Sequence, residues 1–205
     1  LKVRHLGLVA YEPTWRAMQA FTQARDAETP DEIWLVEHPA VFTLGLAGRR
    51  EHVLAQGDIP VVATDRGGQV TYHGPGQAVA YVLLDLRRLG IGVKTLVNKL
   101  ETAAIEALAR FGVEGARVAG RPGVYVGGKK IAAVGLRVAR GCTYHGLALN
   151  VDLALQPFTR IDPCGYPGLE STSLAAEGAR ASISEVQREL AAALGRLLVP
   201  APVPA

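Results

Sequence analysis

Only two cysteines, Cys142 and Cys164, occur in 205 residues, too few for a disulfide framework. No leader with a basic start, apolar middle and small-residue cleavage site opens the sequence, so the reduced cell interior, the cytoplasm, is the expected compartment. The longest apolar run, Ala78 to Leu84, is far too short to cross a bilayer and suits a buried strand. Charge of one sign is also scarce: 20% of residues are charged and the formal net charge is +3, without the basic stripe of a nucleic-acid binder. No membrane and no nucleic acid are expected as partners. What positive excess there is rests on arginine, with Arg49, Arg50, Arg66, Arg87 and Arg88 either scattered or forming a patch for an acidic partner.

What is present is apolar residue, 49% of the chain, enough for one substantial core and a single domain over 1–205. Pro13 to Ala27 spaces Trp15, Met18 and Phe21 for a helix, and Thr95 to Phe111 keeps a clear helical period up to Gly112. Ser182 and Glu185 form an S-x-x-E capping box before a closing helix, which ends at a loose proline-rich tail from about residue 200. Strands are predicted at Ile33–Glu37, Val41–Leu44, Val61–Thr64, Val124–Val126, Lys130–Val138 and Thr143–Val151, with Gly127-Gly128 turning one antiparallel pair. Helices and strands mix without strict alternation, and no repeat is present. The expected fold is α/β or α+β, a mixed sheet with flanking helices.

Three stretches could carry chemistry. Arg66-Gly67-Gly68-Gln69-Val70-Thr71-Tyr72-His73-Gly74-Pro75-Gly76-Gln77 places four glycines and a proline in a strand-forming region, either to let a ligand approach the backbone or to make an ordinary turn. It matches neither G-x-G-x-x-G nor G-x-x-x-x-G-K-[ST], so the usual nucleotide signature is missing. Lys130 enters a strand of small apolar residues, where partial desolvation suits a lysine to catalysis; an exposed turn lysine is the alternative, and fits Lys129 better. Cys164 lies in Asp162-Pro163-Cys164-Gly165-Tyr166-Pro167-Gly168, a constrained loop fit for a nucleophile, whereas Cys142 reads as the structural start of a strand. A Cys–His pair through His73 or His145 stays open, as does a metal site built on Cys142, His145 and Cys164. The latter lacks a second close ligand pair, so no metal is expected.

Taken in order, Arg66–Gln77, Lys130–Arg137, Thr143–Asp152 and Pro163–Leu169 closely resemble the lipoyl(octanoyl) transferase family, from the Glu37-His38-Pro39 region through Cys164-Gly165. The ends beyond about Trp34 and Ser173 carry little of the resemblance. It implies the fold of biotin- and lipoate-protein ligases and an ATP-independent acyltransferase without a cofactor. Its donor would be octanoyl-acyl carrier protein. Its acceptors would be lipoyl domains of 2-oxoacid dehydrogenase E2 subunits and the glycine cleavage H protein, and the enzyme is expected to act as a monomer. The resemblance also implies a catalytic Cys164 and Lys130. The acyl group would be bound by Arg66, Gly67, Gly68, Gln69, Val70, Thr71, Tyr72 and His73, by Ala133, Val134 and Gly135, and by Gly146, Leu147 and Ala148. An ATP-dependent ligase, a non-catalytic carrier-binding module and a metal-bound structural domain are the competing readings.

Overall fold

The computed structural model describes residues 1–162 and 168–198; Cys164, its loop and the proline-rich tail lie outside them. Among the described residues, ten strands form two sheets. The larger has the order β1 (Lys2–Leu8), β2 (Glu32–Glu37), β6 (Gln77–Leu83), β10 (Cys142–Asn150), β9 (Lys129–Ala139), β8 (Arg121–Val126) and β7 (Ala116–Val118). Its β1–β2 pair is parallel and the rest antiparallel. The smaller places β3 (Val41–Leu44) between β4 (Val61–Ala63) and β5 (Val70–His73).

After Gln77, β6 is a continuous apolar run because both its faces are covered. Ala78, Ala80 and Val82 face the core shared with α3 (Val93–Ala109) and α4 (Ile183–Leu198), while Val79, Tyr81 and Leu83 face α1 (Tyr11–Ala24). On α1 the predicted stripe is buried as expected at Trp15 and Met18, with Phe21 packed beside them. The capping box is formed: the Ser182 N–H donates to the Glu185 carboxylate at 2.9 Å, and the Glu185 N–H to Ser182 Oγ at 3.3 Å. Gly127 and Gly128, at φ 54° and 84°, turn β8 into β9 as predicted.

Several elements were not anticipated. β1 lies at the sheet edge with little burial, and its mixture of Lys2, Arg4, His5 and apolar residues gives no alternation to read. β5 falls within the glycine-rich stretch, so those glycines bracket a strand. The helix α2 (Leu86–Leu89) is a single turn capped by Asp85 and closed by Gly90 at φ 64°. No helix among the described residues is long and apolar enough to cross a membrane.

The feature that aims the candidate lysine is a β-bulge in β9. Tyr125 pairs with Lys130 and Val124 with Ala132, so Ile131 is an extra residue opposite β8. Strict alternation would put Lys130 on the face of Ala132, toward the helices. With the bulge, both Ile131 and Ala132 enter the helix-covered core, and Lys130 shares the opposite face with Ala133 and Gly135.

Candidate active site

On that opposite face lies a cavity of about 350 Å³. Ala133 pairs directly with Ala148, and Gly135 with Gly146, so four small residues from β9 and β10 form a low patch in its wall. Thr71 and His73 of β5 approach from the smaller sheet, and Lys130, Tyr125, Leu169 and Ser171 line one side. The exposed lining residues, Val93, Gly120, Arg121 and Pro122 among them, mark the mouth; the deep end is built from Tyr11, His73, Gln77, Tyr81, His145 and Asn150, all buried.

Of the acyl-binding residues implied by the resemblance, all but Tyr72 line this cavity. Tyr72 is the correction. On β5 it alternates with Thr71 and His73 and packs instead against Phe42 and Phe158, with ring centroids 5.6 and 5.4 Å away. Arg66 lines the cavity, yet its guanidinium is turned into the fold, donating to the Thr43 carbonyl at 2.7 Å, the Gln69 carbonyl at 2.8 Å and the Gly67 carbonyl at 3.0 Å. It therefore braces the glycine-rich loop. Nor do the five arginines of the first half form one patch: Arg66 is buried, and Arg88 donates to the Ala27 and Thr29 carbonyls.

Several of the small residues serve backbone approach. The Gly67 N–H donates to the Leu136 carbonyl at 2.8 Å, and a Cβ on Gly135 would lie 3.2 Å from the Gly67 oxygen, so the loop is laid onto β9 at this point. Gly68 has φ 85°, which makes a larger residue there a test of backbone strain more than of cavity depth. Ala133, in regular strand, is the better probe.

Lys129 behaves as the exposed turn lysine of the alternative, paired with Glu170 at 3.3 Å. Lys130 is half-buried; its N–H donates to the Glu170 carbonyl and its carbonyl accepts from the Thr172 N–H, both at 2.9 Å. Its ammonium stands 5.3 Å from the centroid of the Tyr125 ring. The Tyr125 hydroxyl is buried in the cavity wall without a hydrogen-bond partner among the described residues, and so is Gln69 Oε1. Cys164 falls outside the described residues, and Cys142 opens β10 as expected, buried and paired with Ala139.

The deep end holds a neutral imidazole cluster whose tautomers follow from its partners. His38 Nδ1 is 2.7 Å from the Val9 carbonyl, which can only accept, so Nδ1 carries the proton and Nε2 accepts from the Tyr81 hydroxyl at 2.6 Å. The Gln77 amide nitrogen donates to Tyr72 and Asn150, leaving its oxygen to accept from His73 Nδ1 at 2.7 Å. Burial pushes His38 down to about 4, against the pull of the Val9 carbonyl. Burial, then the neighbouring His38, push His73 down to about 3. Between the ordinary value near 6.5 and these folded values, the unfolded chain binds protons that the folded chain does not. Stability should therefore fall as pH drops from about 6.5, by about 1.4 kcal/mol per pH unit for each histidine. Urea midpoints at pH 7 and pH 5 check this; equal midpoints would contradict buried neutral rings.

Asp65, unremarked in the sequence, ties this region to α1. It accepts from Trp15 Nε1 at 2.8 Å, Gln19 Nε2 at 2.9 Å and His145 Nε2 at 2.9 Å, and from the Tyr144 hydroxyl. Burial opposes its ionisation, but these donors outweigh burial and hold the carboxyl well below the usual range. His145 adopts φ 62°, unusual for a residue with a Cβ, and this brings it and the adjacent Tyr144 to the same carboxylate. Tyr11, Tyr81 and Tyr125 likewise stand outside the expected site, since nothing local distinguishes them from ordinary core residues, while His38 and Gln77 lie within the quoted motifs without being among the expected site residues.

A sequence model described as the lipoyl protein ligase A/B catalytic domain matches residues 10–195. A curated relative named octanoyltransferase, from Thiobacillus denitrificans, is 62% identical over 198 residues, covering 97% of this chain and 91% of its own. Another of that name, from Pseudomonas fluorescens Pf-5, is 59% identical over 194 residues, covering 95% and 90%. The likeness thus runs well beyond the span from Trp34 to Ser173. Among solved structures, the bipartite lipoate protein ligase of Thermoplasma acidophilum has a TM-score of 0.75 at 14% identity, covering 97% of this chain and 84% of its own. The biotin protein ligase of Aquifex aeolicus has 0.56 at 12%, covering 97% and 69%. The expected ligase-like fold is the one observed.

Proposed function

This chain belongs to the lipoyl protein ligase A/B catalytic-domain family and is an acyltransferase, and we propose that it transfers an octanoyl group from acyl carrier protein to a lysine of lipoyl domains through a thioester on Cys164. The observation that carries this reading is the cavity that sets Lys130 beside the small residues of β9 and β10. Each methylene buried there contributes up to about 0.8 kcal/mol.

In the first half-reaction the Cys164 thiolate attacks the donor thioester carbon; the carbon–sulfur bond to the carrier breaks, the carrier leaves as a thiolate, and it takes a proton from the Lys130 ammonium, which is left neutral. A thiol with an ordinary pKa near 8.5 is mostly protonated at neutral pH, and a neighbouring ammonium favours the thiolate. The chain supports this pairing, because the segment carrying Cys164 is followed within a few residues by Glu170 and Thr172, both hydrogen-bonded to the Lys130 backbone. In the second half-reaction the amine of an acceptor lysine attacks the acyl carbon, the carbon–sulfur bond to Cys164 breaks and releases its thiolate, and the proton the amine sheds passes to neutral Lys130, restoring the ammonium–thiolate pair. A thioester becomes a thioester and then an amide, so the sequence runs downhill without ATP. The acceptors include lipoyl domains of 2-oxoacid dehydrogenase E2 subunits and the glycine cleavage H protein.

The test is intact and peptide mass spectrometry after brief mixing with octanoyl-acyl carrier protein, without ATP or acceptor. An octanoyl adduct on Cys164, absent in Cys164→Ala and discharged by a lipoyl domain, is the expected result. A folded protein and competent donor giving no adduct would overturn it in favour of an ATP-dependent ligase or a binding module.

A further inference from the structure

Glu101 is a buried carboxylate on α3, 5% exposed, that the mechanism above does not use. Burying a carboxylate is costly unless its oxygens are bonded. One, Oε2, accepts from Arg117 Nε at 2.9 Å, and the other, Oε1, accepts from the backbone N–H of Gly123 at 2.8 Å. Arg117 is itself anchored to α3, donating to the Asn98 carbonyl at 2.8 Å and to Thr102 Oγ1 at 2.5 Å. Glu101 thereby fastens β8 to α3 at one residue, Gly123.

At Gly123 the β8 backbone meets the stem of the reacting lysine. This glycine has φ 121°, and a Cβ there would lie 2.5 Å from the Ala132 carbonyl oxygen and 3.3 Å from Lys130 Cε. No side chain separates the β8 backbone from the Lys130 stem. Two residues on, Tyr125 presents its ring to the Lys130 ammonium at 5.3 Å. Between them falls the bulge that turns Lys130 into the cavity. One short stretch of β8 therefore contacts the lysine at stem and head, and between its two neighbouring strands it is tied to α3 by the Glu101–Gly123 hydrogen bond.

We propose that Glu101 is a positioning residue for Lys130, acting through the Gly123 N–H; the inference rests on Lys130 being the reacting amine of the function proposed above. Two conservative variants separate this from a general contribution to folding. Glu101→Gln keeps an oxygen for the Gly123 N–H and gives up the charge opposite Arg117. Glu101→Asp keeps the charge and, one methylene shorter, draws back from Gly123. In the full-length protein, with octanoyl-acyl carrier protein as donor and a lipoyl domain as acceptor, Glu101→Gln should hold kcat within threefold of wild type despite a lower melting temperature. Glu101→Asp should lose kcat at least tenfold, with the donor KM within twofold.

Equal losses in the two variants, or losses that follow melting temperature, would overturn the proposal. A second readout needs no turnover: the amidination rate of Lys130 by ethyl acetimidate relative to that of Lys129, followed by peptide mass spectrometry. The ratio should change more than threefold in Glu101→Asp and stay unchanged in Glu101→Gln; an unchanged ratio in both overturns the proposal. Wild-type protein that forms no Cys164 adduct would defeat the functional reading, while this ratio would still decide whether Glu101 places Lys130.

Discussion

Replacing Lys130 with methionine is expected to lower turnover by roughly a hundredfold to ten-thousandfold, the usual worth of a general acid–base group. Methionine keeps an unbranched stem to lie against Gly123 and the Tyr125 ring, so the loss should come with little change in melting temperature. Lys130→Arg divides the two half-reactions. A guanidinium stays charged at any accessible pH and so still favours a neighbouring thiolate, but it cannot take the proton from an acceptor lysine. Octanoyl-enzyme should therefore form in Lys130→Arg and fail to discharge, as rapid-quench mass spectrometry would show. Turnover above a tenth of wild type in Lys130→Met would place the base elsewhere, with the neutral His73 at the deep end of the cavity the next group to test.

The second large effect is on stability. An added Cβ on Gly146 would lie 2.1 Å from the Ala80 carbonyl oxygen and 3.2 Å from Tyr81 Cα, both backbone atoms of β6. Neither can swing aside as a side-chain end would. Overpacking ordinarily costs about 1–3 kcal/mol, and here the clash falls between β6 and β10 at the centre of the larger sheet. Gly146→Ala should cost about 3 kcal/mol or more, lowering the melting temperature by on the order of 10 °C. Thermal unfolding followed by circular dichroism measures it, and a shift below about 2 °C would show that the two strands part easily. The glycine was singled out as an acyl contact, and it does line the cavity; the tighter constraint on it is the neighbouring strand.

This double duty explains much of what the sequence did and did not disclose. The periodic elements were readable because one face or both faces of each are buried: the β6 run, the α1 stripe and the α3 repeat all record what they pack against. The residues from Arg66 to Ala148 came as a set from the family resemblance, motif by motif; their own pattern left an ordinary glycine-rich turn equally open. The direction each residue faces was not readable. Tyr72 was taken with its neighbours although alternation turns it away, and the side to which Lys130 points depends on a bulge that leaves no mark in the Lys-Ile-Ala-Ala string. Contacts distant in sequence, such as Trp15 with Asp65 or Glu101 with Gly123, have no local signature at all.

The extra residue at Ile131 also limits how β9 can change over generations. Substitution trades one side chain for another in place, but losing or gaining a single residue between Lys130 and Ala133 reverses the facing of everything on one side of the change. The amine would then be delivered into the helix-covered core, where an unpaired charge cannot be kept. Length differences are harmless at the Gly127-Gly128 tip, where they only alter the turn, and ruinous a few residues later.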